Sequence, residues 1–414
     1  MIALLRTTWA LLLGVALIMS GNALQGSLLG LRGSLEGFSS AVMGLVMSGY
    51  YVGFLSSSLI TPRGVRSVGH VRVFGALAAL AATSILVASL YISPYVWFWS
   101  RAVTGFCYAG LYVIAESWIN DRSTNETRGR LLSVYMVVQF SGLTSGQAML
   151  NLADPAGFQL FSLVAVIISL AVVPVLLTAK HAPAFAEPTH VSLAQLYRVS
   201  PLGAIGTLGV GMAHSGFFQM GAVFGHRIGL GTAQVSLFMM SAVLGGVALQ
   251  WPVGRLSDKF DRRRVLTFVT FAAALIALAA IAASTVSLAG LSVAAFFYAG
   301  MSLPMYSLCI AHTNDFLKTD QMVAASSTLM LLFGVGAIGG PLTIGVLMGS
   351  FGPHAYWVYL AVVHVLLGLF ALYRMTRRAS RPVEEQGRFV AMPANASPTA
   401  ASMAAHPPGA VSER

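Results

Sequence analysis

Charge is scarce in this chain. Asp, Glu, Lys and Arg make up 9% of its 414 residues, against about 25% in a soluble globular protein. Apolar residues supply 57%. No soluble fold of this length has an interior able to hold so much apolar side chain, so lipid must solvate much of it. Cysteine is nearly missing too, with two residues, Cys107 and Cys309. Both fall inside apolar runs and neither has metal-ligand neighbours, which argues against a disulfide framework and leaves small apolar filler. No G-x-x-x-x-G-K-[ST] phosphate cradle occurs, so an ATP-driven pump is not indicated. No metal-ligand cluster and no nucleophile–base spacing occur either. A membrane enzyme therefore has no support, and no metal or other cofactor is expected. The alternating pattern of an outer-membrane strand is also missing.

What is present is a series of long apolar runs. A membrane helix needs roughly 20 apolar residues. Twelve runs qualify, at about 8–30, 41–61, 71–91, 96–118, 131–152, 157–178, 203–225, 234–254, 265–285, 289–312, 323–348 and 354–374. In hydrocarbon every backbone polar group must be paired internally, so these are helices. The first run continues through GNALQGSLLG without an A-x-A cleavage site and reads as a span rather than a signal peptide. Of 24 Lys and Arg residues, 21 fall on one side of this map, counting loops, linker and both termini. That asymmetry places both termini in the cytoplasm of a multi-pass protein of the bacterial inner membrane. The net charge of +11 thus orients the chain and does not call for nucleic acid.

The chain also repeats itself. Gly14, Gly21, Gly26, Gly30 and Arg32 recur as Gly209, Gly216, Gly221, Gly225 and Arg227, an offset of 195. Tyr112, Asn120, Asp121, Gly142 and Gly146 recur as Tyr306, Asn314, Asp315, Gly336 and Gly340, an offset of 194. Six helices repeated in one orientation make two parallel bundles, a layout that puts a solute site at the midplane between them. The expected organisation is an all-α membrane protein of two pseudo-symmetric six-helix bundles, residues 1–178 and 203–374. A cytoplasmic linker at 179–202 carries the amphipathic stretch SLAQLYRV. The tail, 375–414, is rich in Ala, Pro, Ser and Arg and is expected to be disordered.

The densest charge lies in Gly254–Arg264, GRLSDKFDRRR, between the eighth and ninth spans. It resembles the signature loop of the major facilitator superfamily: Gly, three residues, Asp, a basic residue, one residue, Gly, then two basic residues. Here Asp261 stands in place of the second Gly. ESWIND with RGRLLSVYMVVQFSGLTSGQ, and YSLCIAHTNDF with VAASSTLMLLFGVGAIGGP, resemble the bacterial YcaD-like subgroup. The resemblance implies a major facilitator fold and a conformational latch made by Gly254, Asp258, Lys259, Arg262 and Arg263. Asp258 would meet the positive end of a helix in the opposite half. The equivalent loop in the first half, PRGVRSVGHVR, lacks both the leading Gly and the Asp, so the latch should be lopsided. RAVTG, from Arg101 to Gly105, resembles the family's fourth-helix motif, a proton-linked element in some members.

An ionisable residue inside a span is costly and therefore a functional candidate. Arg101, Gly105, Tyr108, Tyr112 and Glu116 share one face of the fourth span and are expected to line a cavity. Asn22, Gln25, His214, Trp251 and Tyr306 are further solute candidates, with Tyr50, Tyr51 and Tyr298 as aromatic walls. Glu116 and His214 are candidates for proton coupling; the competing reading of Glu116 is a salt bridge to Arg128, Arg130 or Arg66. Gly142-x-x-x-Gly146 and Gly336-x-x-x-Gly340 read as close-packing seams. The first span lacks the buried acid of many proton-coupled drug exporters, and the fifth reads GLTSGQ without the Gly-Pro of the antiporter motif. The expected protein is a monomeric secondary transporter of a small organic solute, working by alternating access and coupled to an ion, the proton first. Its partners are that solute and membrane lipid. Efflux of drugs or metabolites and uptake of a nutrient or vitamin both remain open, and a transport-inactive sensor or scaffold is the alternative class.

Overall fold

A computed structural model describes the backbone of residues 2–124, 127–178 and 191–393. Among these residues there is no strand. The first half contains α1 (Ile2–Leu35), α2 (Ser40–Val68), α3 (His70–Leu90), α4 (Pro94–Asp121), α5 (Arg128–Met149) and α6 (Gln159–Thr178). A short helix, α7 (Leu193–Val199), falls on the amphipathic stretch of the linker and is capped by the Ser192 hydroxyl, which accepts from Gln195 N–H at 3.2 Å. The second half contains α8 (Pro201–Arg227), α9 (Thr232–Lys259), α10 (Arg262–Val286), α11 (Leu288–Ser302), α12 (Pro304–Asn314), α13 (Thr319–Phe351) and α14 (Ala355–Arg377). Helices α11 and α12 form one span broken at Leu303–Pro304, where proline removes a backbone donor. Linker residues 179–190 lie outside the described residues.

Ten of the helical stretches among the described residues are long and apolar enough to cross a membrane. The two others of spanning length are α5 and α8, with 22 and 27 residues. They carry Ser, Gln, Thr, His and many Gly in place of Leu and Val. Their polar residues are affordable because these two helices turn a face to the interior of the molecule, where Gln139, Gln147, His214 and Gln219 line a common cavity.

The repeat read from the sequence becomes the same seam made twice. A Cβ added at Gly142 or Gly146 of α5 would meet the carbonyl oxygens of Ala16 and Ser20 in α1. At Gly336 or Gly340 of α13 it would meet those of Leu208 and Met212 in α8. Only glycine lets backbones approach this closely. Between the halves, α2 packs on α13 and, as its symmetry mate, α5 packs on α9. At the end away from the linker the halves are tied by Arg227 Nη2 to Phe38 O at 2.8 Å, Asn151 Nδ2 to Ser236 Oγ at 2.9 Å and Ser236 Oγ to Gln147 O at 2.6 Å. Gly44 of α2 and Gly345 of α13 touch at the same end, each leaving no room for a Cβ.

Beyond α14 the expected disordered tail meets a described stretch, 378–393. It forms one 3-10 turn at Val383–Glu385 and then runs back along α9, α10 and α12, burying Met392 to 4% exposure. Residues 394–414 of the tail lie outside the described residues.

Candidate functional site

A cavity of about 170 Å³ lies between the halves. Its walls come from α1, α2 and α5 on one side and α8, α9 and α13 on the other, with Leu303 between α11 and α12. Five side-chain amides face it: Asn22, Gln139, Gln147, Gln219 and Gln250. Six aromatic rings join them, from Tyr50, Tyr51, Phe54, Phe140, Phe218 and Phe333, together with the imidazole of His214. Among the described residues that line the cavity none is Asp, Glu, Lys or Arg. Amides offer both donors and acceptors without charge, and rings offer flat apolar faces. The chemistry suits a planar, polar, uncharged or weakly anionic solute and gives a cation no counter-charge at the wall.

Behind the wall stands a second layer built by α4. Arg101 is fully buried and donates from Nη2 to Gln219 Oε1 at 2.7 Å, bridging the two halves. Its guanidinium carbon sits 4.6 Å from the centroid of the Tyr50 ring, a cation–π contact. Nε and Nη1 of the same guanidinium have no hydrogen-bond partner. Asn22 Nδ2 donates to Tyr112 Oη at 3.0 Å and to Tyr50 Oη at 3.3 Å. Tyr108 stacks on Tyr112, with centroids 6.2 Å apart, and its hydroxyl is buried without a partner. Gln25 donates weakly to Thr104 Oγ1 at 3.4 Å, and its carbonyl oxygen is unpartnered. Buried polar atoms left unpaired are costly, so this cluster is where an entering polar group gains most.

His214 approaches the cavity from α8. Its Nε2 lies 2.9 Å from Ser302 O. A carbonyl only accepts, so Nε2 carries a hydrogen there and the neutral ring presents Nδ1 as an acceptor. That Nδ1 is buried and has no partner. Ser302 Oγ in turn lies 3.1 Å from Nε2 of His364, whose Nδ1 faces Leu360 O at 2.8 Å.

The sequence candidates thus divide. Asn22 and His214 line the cavity, with Tyr50 and Tyr51 beside them; Gln25, Arg101, Tyr108 and Tyr112 form the layer behind. Tyr306 is buried and packs on the Phe333 wall at 5.3 Å between centroids. Glu116 is fully buried at the linker end of α4 and accepts from Tyr135 Oη at 2.9 Å. Trp251 is not brought in. It is 61% exposed on the outer side of α9, with the Arg255 guanidinium 3.6 Å above its ring. An apolar helix does not show in its composition which side faces lipid, and the Trp–Arg pair one turn apart is a snorkelling arrangement at the membrane edge. Reading the sequence for ionisable residues passed over Gln139, Gln147, Gln219 and Gln250. The available signal was a side-chain amide within a span, whose burial without a hydrogen bond costs roughly 2–7 kcal/mol.

The charged loop is built around Arg262, which is 1% exposed at its side chain. It donates to Asp315 Oδ2 at 2.6 Å, Ser257 Oγ at 2.9 Å and Gly387 O at 2.6 Å. Burial pushes the Asp315 carboxyl up from its ordinary pKa, against the pull of Arg262 and the Gly387 N–H. Asp258 accepts from Phe389 N–H at 2.7 Å and lies 4.0 Å from Arg262 Nη2. Its partner here is thus the tail of its own half. Gly254 is where the Phe389 ring rests against α9. Arg263 pairs with Asp261 at 2.9 Å and donates to Arg378 O at 2.7 Å, while Lys259 is exposed. Asp261, in the place of the family's second Gly, caps α10 by accepting from Arg263 N–H at 3.0 Å.

Comparison with known proteins bears on the family and the fold. The family model described as Major Facilitator Superfamily matches residues 11–313. The uncharacterized MFS-type transporter YcaD of Escherichia fergusonii is 25% identical over 380 residues, covering 91% of this chain and 98% of the relative. Its counterpart in Escherichia coli is 26% identical over 381 residues, with the same coverage, 91% and 98%. Among solved structures, a mutant of the nucleoside transporter NupG superposes with a TM-score of 0.74 at 12% identity, covering 89% of this chain and 99% of that one. A bacterial homolog of the human lysosomal transporter Spinster, inward-facing and occupied, also gives 0.74, at 15% identity, covering 92% and 98%. At these identities the structural matches establish the fold.

Proposed function

The chain belongs to the Major Facilitator Superfamily, and from that premise we propose that it is a secondary active transporter carrying a small organic solute across the bacterial inner membrane by alternating access. The observation that carries this reading is the cavity between the halves, lined among the described residues by five amides, six aromatic rings and one imidazole and by no charged side chain. The linker end is cytoplasmic, as the basic residues require. The solute is planar and polar, neutral or anionic. Arg101 acts through Gln219 and Tyr50 rather than from the wall, so an anionic group that displaces Gln219 gains a guanidinium with two open donors. The proton is the coupling ion, with His214 as its acceptor in preference to Glu116, because His214 is a residue of the cavity wall and Glu116 is not.

A thermal-shift screen of the purified protein against neutral and anionic aromatic metabolites finds the solute class, and proteoliposome transport with and without a pH gradient tests the mechanism. Arg101→Lys keeps charge and loses the planar fork. Loss of binding in both Arg101→Lys and Arg101→Ala points to bidentate recognition; recovery in Lys points to charge alone. Unaltered binding and transport in Arg101→Ala would remove Arg101 from the solute site. A reporter fused after Arg374 that works only in the periplasm would reverse the topology. Solute binding without movement in any gradient would favour the sensor or scaffold reading.

A further inference from the structure

We propose that residues 386–393 form a gate: the chain's own tail closes the linker-side end of the solute cavity and supplies part of its floor. This rests on the reading of the cavity as the solute site.

After α14 the chain returns to its own half and is held along its backbone. Gly387 N–H donates to Asp315 Oδ1 at 3.0 Å, and Gly387 O accepts from Arg262 Nη2 at 2.6 Å. Phe389 N–H donates to Asp258 Oδ1 at 2.7 Å. Met392 N–H donates to Ser307 Oγ at 2.9 Å, and the same hydroxyl lies 3.1 Å from Met392 O. Apart from Ser307, the acceptors and donors on the protein side are the charged residues of the signature loop and its partner Asp315. The latch and the tail are therefore one device. Anchored on α9, α10 and α12, the strap ends between the halves, where Met392 and Pro393 line the cavity together with Gln139, Phe140 and Leu143 of α5. A solute leaving toward the linker end meets these two residues.

The strap is fastened but not packed solid. A space of about 290 Å³ lies between it and α12, bounded by Ile310, Asn314, Arg388 and Val390. The strap is held by the apolar side chains of Phe389, Val390 and Met392 and by hydrogen bonds to charged groups, a set confined to one short segment that can detach without disturbing the helices. Release frees Asp258 and opens the linker-side mouth; docking seals it.

The test uses the full chain with Leu143→Cys as a cavity reporter, since native Cys107 and Cys309 are buried. Modification by a membrane-impermeant maleimide is followed in sealed vesicles of both orientations. Met392→Asp and, as a milder second variant, Phe389→Ala alter only the strap and leave every helix intact. Each should speed labelling from the linker side by about tenfold, the shift expected for loss of one side chain's apolar burial, and leave labelling from the far side unchanged. Equal rates in the strap variants and the parent reporter would overturn the gate. The readout involves no solute, so failure to find a transported compound would count against the transporter reading alone.

Discussion

The two halves are built to one plan and differ in charge at the junction of their second and third helices at the linker end. In the first half α2 passes into α3 with a single non-helical residue, Gly69, at φ +87°. Its basic residues Arg63, Arg66 and Arg72 are exposed, and so is Asp121 at the end of α4. In the second half the matching Asp315 is buried against Arg262, and Asp258 and Arg262 hold the strap. The repeat kept the glycine seams, which set how closely helices pack, and let the charges diverge. Packing symmetry therefore does not imply electrostatic symmetry, and only one half can fasten a tail.

The largest expected difference is in stability. Asp315→Ala leaves a buried guanidinium without its carboxylate and should cost about 3–5 kcal/mol, whereas Asp121→Ala should stay within about 0.5 kcal/mol. Thermal unfolding in detergent of the two variants measures the contrast directly, and equal losses would mean the halves are not electrostatically distinct. The seams test the opposite side of the comparison. Gly142→Leu and Gly336→Leu should each cost about 1–3 kcal/mol or more through overpacking, and by similar amounts. A loss in only one would show that the repeated spacing does not do the same work twice.

A smaller effect is expected in transport. Asp258→Asn keeps the shape but weakens the acceptor for Phe389 N–H, and exchanging a charge-assisted bond for a neutral one, a difference of about 1 kcal/mol, should change transport severalfold at equal membrane abundance. Arg66→Gln, in the degenerate loop, should change it less. Transport by Asp258→Asn equal to the parent would remove the latch. The smallest effect concerns Asp261. Burial alone would raise its carboxyl, but the side-chain and backbone hydrogen bonds and the charge of Arg263 outweigh that and hold it below the ordinary carboxylate range. A depressed folded-state value contributes stability above about pH 4, lost as pH falls through the folded value. Asp261→Asn keeps the helix cap, so the two thermal midpoints should differ slightly at neutral pH and converge in acid; a gap that widens in acid would contradict the assignment.

Much of this architecture was legible without coordinates. Hydropathy located the spans, and spacing located the repeat and both glycine seams. The ends of the helices were less legible. The second run ends at 61 by hydropathy, while α2 continues to Val68. Hydropathy marks the hydrocarbon slab, but backbone hydrogen bonding continues past it into the polar zone. The tenth run reads as one helix and is broken at Pro304, where the bend depends on how α11 and α12 pack on their neighbours.

The site divides along the same line. Composition and the placing of the apolar runs determined that lipid is the solvent, that most basic residues fall on one side, and that any polar residue within a span must have a reason. Those are local facts, set by the free energy of moving single side chains between water and hydrocarbon. Which polar residues converge is not local. Gln219 reaches Arg101 across 118 positions, Met392 reaches Ser307 across 85, and Trp251 points outward from a helix whose neighbours point in. Each depends on the rotation of a whole helix about its axis and on the docking of two bundles. That rotation is decided by the summed packing of many weak contacts over long sequence distances, and no single stretch of the chain records it.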